Sequence, residues 1–422
     1  MPDQTVSASN RQPHEQPSGA EEPKRRRLRA WMLTNLWTTL AGLLGVMQAL
    51  TVQWWLVVVL GDEGLGAADG AALGAALLGA NVVSIPVLRR ARMAGRGRLA
   101  TRLYMAVGIF TLLIGSAVVL SWIGLFPLVQ VVGWLSLGAE NTFLSFRVVS
   151  ALFVFAVLGM ALWAFTGGQM LVDRTRIQVP IRGLHPDHRG LQVGHLTDLH
   201  IGNGLEGERL SNAVRQANTL GADVLVLTGD IFDFDPAYIE DGVRRLAALK
   251  APLGVYAVLG NHDTYTGSEE IAAAFAEHAP GIRLLRDEWE RLPLDAPLYI
   301  AGVEDPGRGW TARELELDSM DRVAASLPQD GPALLLVHRP QAFAQAARLG
   351  FPLVLTGHTH GGQLALPMPG GHYNLALVMT GFTRGLYQLD RSVMYVNRGI
   401  GVAGPAVRFN CRREMAMVEL MC

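Results

Sequence analysis

Asp198-Leu199-His200, Gly229-Asp230-Ile231-Phe232-Asp233 and Gly260-Asn261-His262-Asp263 follow one another within a single stretch, residues 198–263. Each stands directly after an apolar run rich in β-branched residues, at 191–197, 223–228 and 254–259. Such runs read as buried strands, and the stretches between them read as helices. Strand, motif and helix, repeated, put three sets of polar side chains at the carboxyl edge of a parallel sheet, where open α/β sheets bind ligands. Two later motifs, Val337-His338 and Gly357-His358-Thr359-His360-Gly361-Gly362, end two more strand candidates at 332–337 and 352–356.

The residue types suit divalent metals of intermediate hardness, which take carboxylate, imidazole and amide oxygen. Asp198 and His200 are two residues apart, so a continuing strand would aim both to one side. Asp230 follows Gly229, which lets the chain turn sharply; a carboxylate there can bridge two ions. Asn261 adds a neutral oxygen, and His338, His358 and His360 add nitrogens from the far half of the sheet. Asp198, His200, Asp230, Asn261, His338, His358 and His360 together suffice for two ions, which in two-metal sites lie roughly 3.5–4 Å apart. Singly, each motif has an ordinary structural reading. Gly-Asp-x-x-Asp suits a helix N-cap, Gly-Asn-His-Asp a turn, Gly-His-Thr-His a surface loop. All of them in order after apolar strands favour the metal reading. His14, His185, His188, His278 and His372 read as solvated, and His195 as a core histidine.

These blocks resemble the calcineurin-like metallophosphoesterase superfamily, with its D-x-H, G-D-x-x-D, G-N-H-[DE], lone His and G-H-x-H pattern over roughly 190–362. His360-Gly-Gly-Gln363, Gly385-Leu-Tyr387, Asn397-Arg-Gly-Ile-Gly401 and Arg408-Phe-Asn410 further resemble its bacterial YkuE/YaeI-like branch. The resemblance implies that Asp198, His200, Asp230 and His360 ligate one metal, and Asp230, Asn261, His338 and His358 the other. It implies that His262 contacts the phosphate and protonates the leaving alkoxide, with Asp233 and Asp263 orienting it. Arg339, Gln363 and Arg384, with Tyr387, are candidate substrate-side groups. The expected activity is hydrolysis of phosphoester or diphosphate bonds by a hydroxide activated between two divalent ions, with Mn first and Fe, Zn, Co or Ni compatible. The competing reading is a non-catalytic scaffold or sensor on the same fold; the complete motif set, His262 included, argues against it.

Composition adds a membrane. Half of the 422 residues are hydrophobic, and the excess lies between about residue 31 and residue 172. Uncharged runs within 31–60, near 71–88, near 103–125 and near 148–171 are each long enough to cross a ~30 Å hydrocarbon layer. Buried core helices are the alternative, but uncharged runs of this length rarely repeat in soluble proteins. The first run is too long for a signal peptide. Trp31, Trp54, Trp55, Trp122 and Trp163 fall near span ends, as interfacial anchors do. Segment 127–146 reads equally as an interfacial helix or a loop. The span interiors lack Asp, Glu, Lys and Arg, which favours an anchor over a transporter. Basic residues at Lys24–Arg29, at Arg89–Arg102 and at Arg174–Arg182, against Asp62, Glu63 and Asp69 after the first span, predict both termini in the cytoplasm of a bacterial inner-membrane protein.

Three regions follow. Residues 1–30 form a polar, basic-ended tail that reads as disordered, 31–172 an all-α transmembrane region, and 173–422 an α/β metallophosphoesterase sandwich, two sheets flanked by helices (αββα). Further strand candidates are 175–181, 297–303, 393–397 and 415–420, with a helix at 340–348. The net charge of −1 implies no nucleic-acid partner, and Cys411 and Cys422 offer neither a disulfide framework nor a thiolate site. The expected partners are the bilayer and a phosphorylated small molecule or lipid; a bilayer anchor suits a lipid-linked diphosphate of the UDP-diacylglucosamine type.

Overall fold

The computed structural model describes residues 39–93, 98–136, 139–308, 314–368, 371–378 and 380–422. The expected tail, its basic cluster, Trp31 and Arg96 lie outside the described residues. The chain divides into two compact units, Met1–Val154 and Phe155–Cys422.

Four helical spans are long and apolar enough to cross a membrane: Thr39–Leu60, Ala67–Ile85, Ala106–Gly133 and Asn141–Gln169. Protein buries little of them. Ile123 and Leu152 are both 67% exposed, which a soluble core helix would not allow and a lipid-facing one requires. We label the helices α1 (Thr39–Leu60), α2 (Ala67–Met93), α3 (Arg98–Leu120), α4 (Phe126–Ser136) and α5 (Ala139–Phe165). A π-helical turn, Ser121–Leu125, fuses α3 to α4. Segment 127–146, undecided from sequence, thus divides between the end of the third span and the start of the fourth. Two expectations change here. Trp54 is 2% exposed and donates to Ser150 Oγ at 2.8 Å, so it is an internal strut and not an interfacial anchor. The fourth span begins early enough to include Arg147, whose Nε donates to the Val58 carbonyl at 2.9 Å and caps the end of α1. Gln48, Asn81 and Tyr104 form a hydrogen-bonded chain that ties α1, α2 and α3, the polar glue usual between helices in lipid.

The second unit is built on strands β1 (Val172–Pro180), β2 (Gln192–Leu196), β3 (Val224–Thr228), β4 (Val255–Val258), β5 (Ile282–Leu284), β6 (Glu288–Arg291) and β7 (Tyr299–Val303). It continues with β8 (Ala333–Val337), β9 (Leu353–Thr356), β10 (Ala365–Met368), β11 (Gly371–Asn374), β12 (Gly385–Leu389), β13 (Ser392–Val396) and β14 (Arg413–Met421). One sheet runs β1-β14-β2-β3-β4-β5 and the other β12-β13-β9-β8-β7-β6, while β10 and β11 make a separate hairpin. The central strands β2 to β4 and β7 to β9 are parallel.

The strand sequences explain the layering. In β3, Val224 and Val226 face the other sheet, whereas Leu225 and Leu227 face helices. In β8, Leu334 and Leu336 face inward and Leu335 and Val337 outward. Strands apolar on both faces must be covered on both, each fully buried Val or Leu contributing ~1.5–3 kcal/mol. The outer covers are α6 (Glu208–Asn218), α7 (Ile239–Leu246), α8 (Asn261–Thr266) and α9 (Ser268–His278) on the first sheet, and α10 (Asp318–Ser326) and α11 (Phe343–Arg348) on the second. The αββα order expected from the strand pattern is the one observed.

One polar seam joins the sheets. Glu414 on β14, 2% exposed, accepts hydrogen bonds from Tyr395 Oη at 2.7 Å, from Arg398 Nε at 3.1 Å and from Thr175 Oγ1 of β1. Burial pushes the Glu414 carboxyl up, but the hydrogen bonds and charge of Arg398 outweigh it and hold the group below its ordinary value. Removing one partner of a buried pair costs about 3–5 kcal/mol, so Glu414→Ala should lower thermal stability by that order. A depressed carboxylate stabilises the fold above its unfolded-state pKa and loses that contribution as pH falls through the folded value. The gap between Glu414→Ala and the unmodified chain, followed by thermal unfolding, should therefore be full at neutral pH and shrink below about pH 4.5.

Candidate metal centre

Every motif lands at the same edge of the sandwich. Asp198 and His200 follow β2, Asp230 follows β3, Asn261 and His262 open α8 after β4, His338 follows β8, and His358 and His360 follow β9. Asp198, His200, Asp230, His358 and His360 all have positive φ, between 46° and 69°. Residues with a Cβ avoid this region, and holding them there costs on the order of 1–3 kcal/mol each. The strain turns each side chain off its strand and into the cleft. Asp198 and His200 therefore do not converge by strand alternation; each is aimed by its own turn. Gly229 makes room: a Cβ on it would lie 2.7 Å from Gly260 N and 2.8 Å from His338 Nδ1.

Two clusters result. Ligand atoms of Asp198, His200 and His360 lie within 4.8 Å of one another, as do those of Asp230, His338 and His358. In the first, His200 Nε2 is 2.9 Å from His360 Nε2, and His360 Nε2 is 3.3 Å from Asp198 Oδ1. In the second, His338 Nε2 is 3.1 Å from Asp230 Oδ2 and 3.2 Å from His358 Nδ1. Asp230 Oδ2 also lies 3.6 Å from His200 Nε2, so one carboxylate oxygen faces both groups. Asn261 Oδ1 is buried and has no hydrogen-bond donor among the described residues, while its side chain is hydrogen-bonded to Tyr265.

The supporting contacts fix the tautomers. His338 Nδ1 lies 2.8 Å from the Thr228 carbonyl, and His200 Nδ1 lies 3.2 Å from Asp233 Oδ1. Both acceptors require N–H on Nδ1 and leave the Nε2 lone pair to the cleft, the usual outer partner of a ligating imidazole. Burial holds the His358 and His360 imidazoles well below their ordinary pKa, helped by charge from His338 and from His200 respectively. Neutral imidazole is the ligating form. At His338 burial pulls the same way, but the charge and hydrogen bond of Asp230, with Asp198, override it and push the group up to about 10. For Asp230 itself burial is overridden by His338 and His262, which hold the carboxylate ionised. Buried carboxylates, imidazole lone pairs and an orphaned amide oxygen fit a pair of divalent cations, and such ions would displace the proton on His338.

His262 stands beside the clusters. Its Nδ1 is 3.0 Å from Asp233 Oδ1, and its backbone N–H donates to Asp230 Oδ1 at 2.8 Å. Burial pulls its imidazole down, but Asp230 and Asp233 raise it above the ordinary value. The expected partner Asp233 thus contacts His262. Asp263 does not: its oxygens accept from the N–H groups of Ile231 at 3.1 Å, Phe232 at 2.8 Å and Gly260 at 2.8 Å. It braces the Asp230 turn against α8.

The proposed substrate-side groups are placed unequally. Arg339 is 1% exposed and its guanidinium is forked onto Asp305, with both contacts at 2.5 Å and a further bond to the Arg308 carbonyl. That pair occupies the fork that a substrate phosphate would need. Gln363 uses its amide on both backbone groups of Ala403. Arg384 bonds the Asn410 carbonyl, and its stem lies beside Gly361. Asp305 was missed in the sequence although it is a carboxylate just past β7, at the same edge. Arg408 was also missed as a site group. It is fully buried, with Nη2 3.3 Å from His360 Nδ1. Phe234 and Tyr265 stack in parallel, 5.8 Å apart, with Phe234 4.5 Å from the His262 ring.

A two-sheet sandwich with this edge defines a metallophosphoesterase, and the chain belongs to that family: residues 191–362 match the calcineurin-like phosphoesterase model. An uncharacterized metallophosphoesterase of Aquifex aeolicus is 30% identical over 236 residues, which cover 56% of this chain and 87% of that protein. The metallophosphoesterase YkuE of Bacillus subtilis is 29% identical over 55% of this chain and 79% of its own length. The transmembrane protein with metallophosphoesterase domain of Danio rerio is 30% identical over 65% of this chain and 63% of its own length. The chain spans less than two thirds of the length of that protein and of its Bos taurus counterpart. Among solved structures, TT1561 of Thermus thermophilus covers 50% of this chain at 16% identity, with a TM-score of 0.34. The four apolar spans, with relatives named as transmembrane proteins, make this a membrane protein.

Because Asp230 Oδ2 faces both clusters, Asp230→Asn should deplete both cations. Asp233→Asn should weaken metal retention by about 10–100-fold, the range for outer partners of ligands. Metal analysis of the purified full chain after chelator dialysis measures both; full metal content in Asp230→Asn would remove Asp230 from the set.

Proposed function

We propose that the chain is a membrane-anchored, metal-dependent phosphohydrolase. The four apolar spans between Thr39 and Gln169 form the anchor, and the sandwich from β1 onward forms the hydrolase. Asp198, His200, Asp230 and His360 would hold one cation, and Asp230, Asn261, His338 and His358 the other. A bound cation pair would supply Lewis-acid polarisation of the phosphoryl group and a lowered pKa for water. The chain's own contribution centres on His262. Asp230 and Asp233 raise its pKa above the ordinary imidazole value, which favours the protonated ring and suits it to donate a hydrogen bond to phosphate oxygen and a proton to the leaving alkoxide. Asp233 accepts from Nδ1 and so turns Nε2 outward. Phe234 and Tyr265, 48% and 42% exposed, border that ring and exclude water from one side.

The observation that carries this reading is the single Asp230 oxygen between two imidazole clusters with His262 beside it. General acid–base groups contribute about 10²–10⁴-fold. His262→Ala should lose rate of that order in release of p-nitrophenol from a phosphodiester with Mn²⁺, while keeping its metal. Unchanged turnover would overturn the assignment. A scaffold or sensor would show no turnover with any divalent metal in folded protein.

The substrate class follows from the anchor. A phosphorylated lipid or lipid-linked diphosphate, of the UDP-diacylglucosamine type, suits a site tethered to a bilayer. Arg384 is the remaining candidate cation for its phosphate. For orientation, the acidic residues Asp62, Glu63 and Asp69 after the first span, against the arginines between Arg89 and Arg102 after the second, support a cytoplasmic hydrolase in a bacterial inner membrane. A reporter fused after Cys422 should be active only on the cytoplasmic side; activity confined to the outer side would reverse the topology.

A further inference from the structure

The β10–β11 hairpin belongs to neither large sheet, and it exposes several large apolar side chains. Leu366 stands directly opposite Tyr373 in the ladder, and Met368, two residues on, shares the face of Leu366. Leu366 is 54% exposed, Met368 58%, Tyr373 59% and the following Leu377 41%. Ala365, which opens β10, and its ladder partner Asn374, which closes β11, are buried. The hairpin is thus anchored at its base and open beyond it, with Leu366, Met368 and Tyr373 on one face and the exposed pair Pro367 and His372 on the other. Contiguous exposed apolar surface marks an interaction site.

Its base is fastened to the end of the fourth apolar span by short steps within the second unit. That span ends at Gln169. Gln169 Nε2 donates to the Ala406 carbonyl at 2.8 Å, and Arg408 N–H donates to the Ala164 carbonyl at 3.1 Å. The Trp163 ring meets Phe409 edge-on at 6.3 Å. Phe409 in turn bridges Leu364, and its carbonyl accepts from Ala365 N–H at 3.0 Å. Ala365 is the first residue of the hairpin. The apolar face is therefore tied, through Phe409, to the level at which a membrane span emerges, where Trp and Tyr collect.

We infer that the β10–β11 hairpin, through Leu366, Met368, Tyr373 and Leu377, is a bilayer-contacting element. Its occupant is lipid, because its base is continuous with a span end, and a partly inserted apolar face reaches ~5–10 Å into the headgroup boundary. Gly361 and Gly362 lie between His360 and this hairpin, and Gly362 packs against Asn374 of β11. The contact therefore sets the His360 side of the cleft at headgroup level.

The test uses the full chain in phosphatidylcholine–phosphatidylglycerol vesicles, in a Cys422→Ser background that leaves Cys411 buried. A fluorophore is attached at Leu366→Cys, at Met368→Cys, or at Glu277→Cys on α9 as a control. Lipids with a nitroxide near the top of the acyl chain should quench the two hairpin labels and not the control, and the hairpin labels should lose accessibility to aqueous iodide. Equal iodide access at hairpin and control would overturn the proposal. So would labels shielded from iodide yet unquenched by nitroxide lipid, which would mean that a second copy or another protein covers the face.

Discussion

The fold is organised by the electrostatics of a carboxylate. Asp230 is 2% exposed, and a buried anion persists only with compensating positive charge and hydrogen bonds. His338 on one side, His200 on the other and the His262 backbone N–H supply them. Those partners come from different strands and from both sheets, so the carboxylate cannot be satisfied until the sandwich has closed. Conversely, the left-handed backbone at five of the clustered residues would relax in any looser state. Strain and charge thus support one another: the turns are held by the contacts that they create.

The bracing of Asp230 shows how backbone amides share the task. Asp263 gathers the N–H groups of Ile231, Phe232 and Gly260 onto one side chain, locking the turn after β3 to the start of α8. Burial pushes its carboxyl up to about 7, with Asp230 adding to the shift and the three amides opposing it. A side chain beside the cluster that binds amides instead of imidazole is a scaffold for the turn. On the other sheet, His338 closes the gap by leaning on the Thr228 carbonyl. The parallel central strands of both sheets end together there, which is why motifs more than a hundred residues apart in sequence occupy one cleft.

Strand ends and their polar residues were legible because each apolar run stops abruptly at a Gly, at Asp198 or at His338, and the alternating cores of β3 and β8 demanded a covered sandwich. What was not legible depended on partners. Arg339 beside His338 looks like an available cation until Asp305, from β7, is known to hold it. Asp263 looks like a partner for its neighbour His262 because adjacency in sequence is visible and the direction of a helix N-terminus is not. Segment 127–146 carries no charge pattern that marks a helix end; α4 is described to Ser136 and α5 from Ala139. Trp54 was read from hydropathy as an end marker, whereas its indole N–H needed Ser150. The short strands of the β10–β11 hairpin, separated by Pro and Gly, gave no usable period.

Arg408 brings these threads to one residue. Its guanidinium is buried with no acidic partner in contact among the described residues; Nη2 donates to the carbonyls of Arg398, Gly399 and Gly401, at 2.7–3.1 Å, and lies 3.3 Å from His360, while Nε has no acceptor among those residues. Its backbone meanwhile bonds Ala164, and Gly168 sits against its carbonyl with no room for a side chain. A flexible tether would leave the end of the last apolar span free of the catalytic fold. Here the same residue that closes the loop around His360 is hydrogen-bonded to the last turns of that helix. Displacing those turns would pull on the loop that positions His360, so the last turns of that span and the edge of the cleft move together within the second unit.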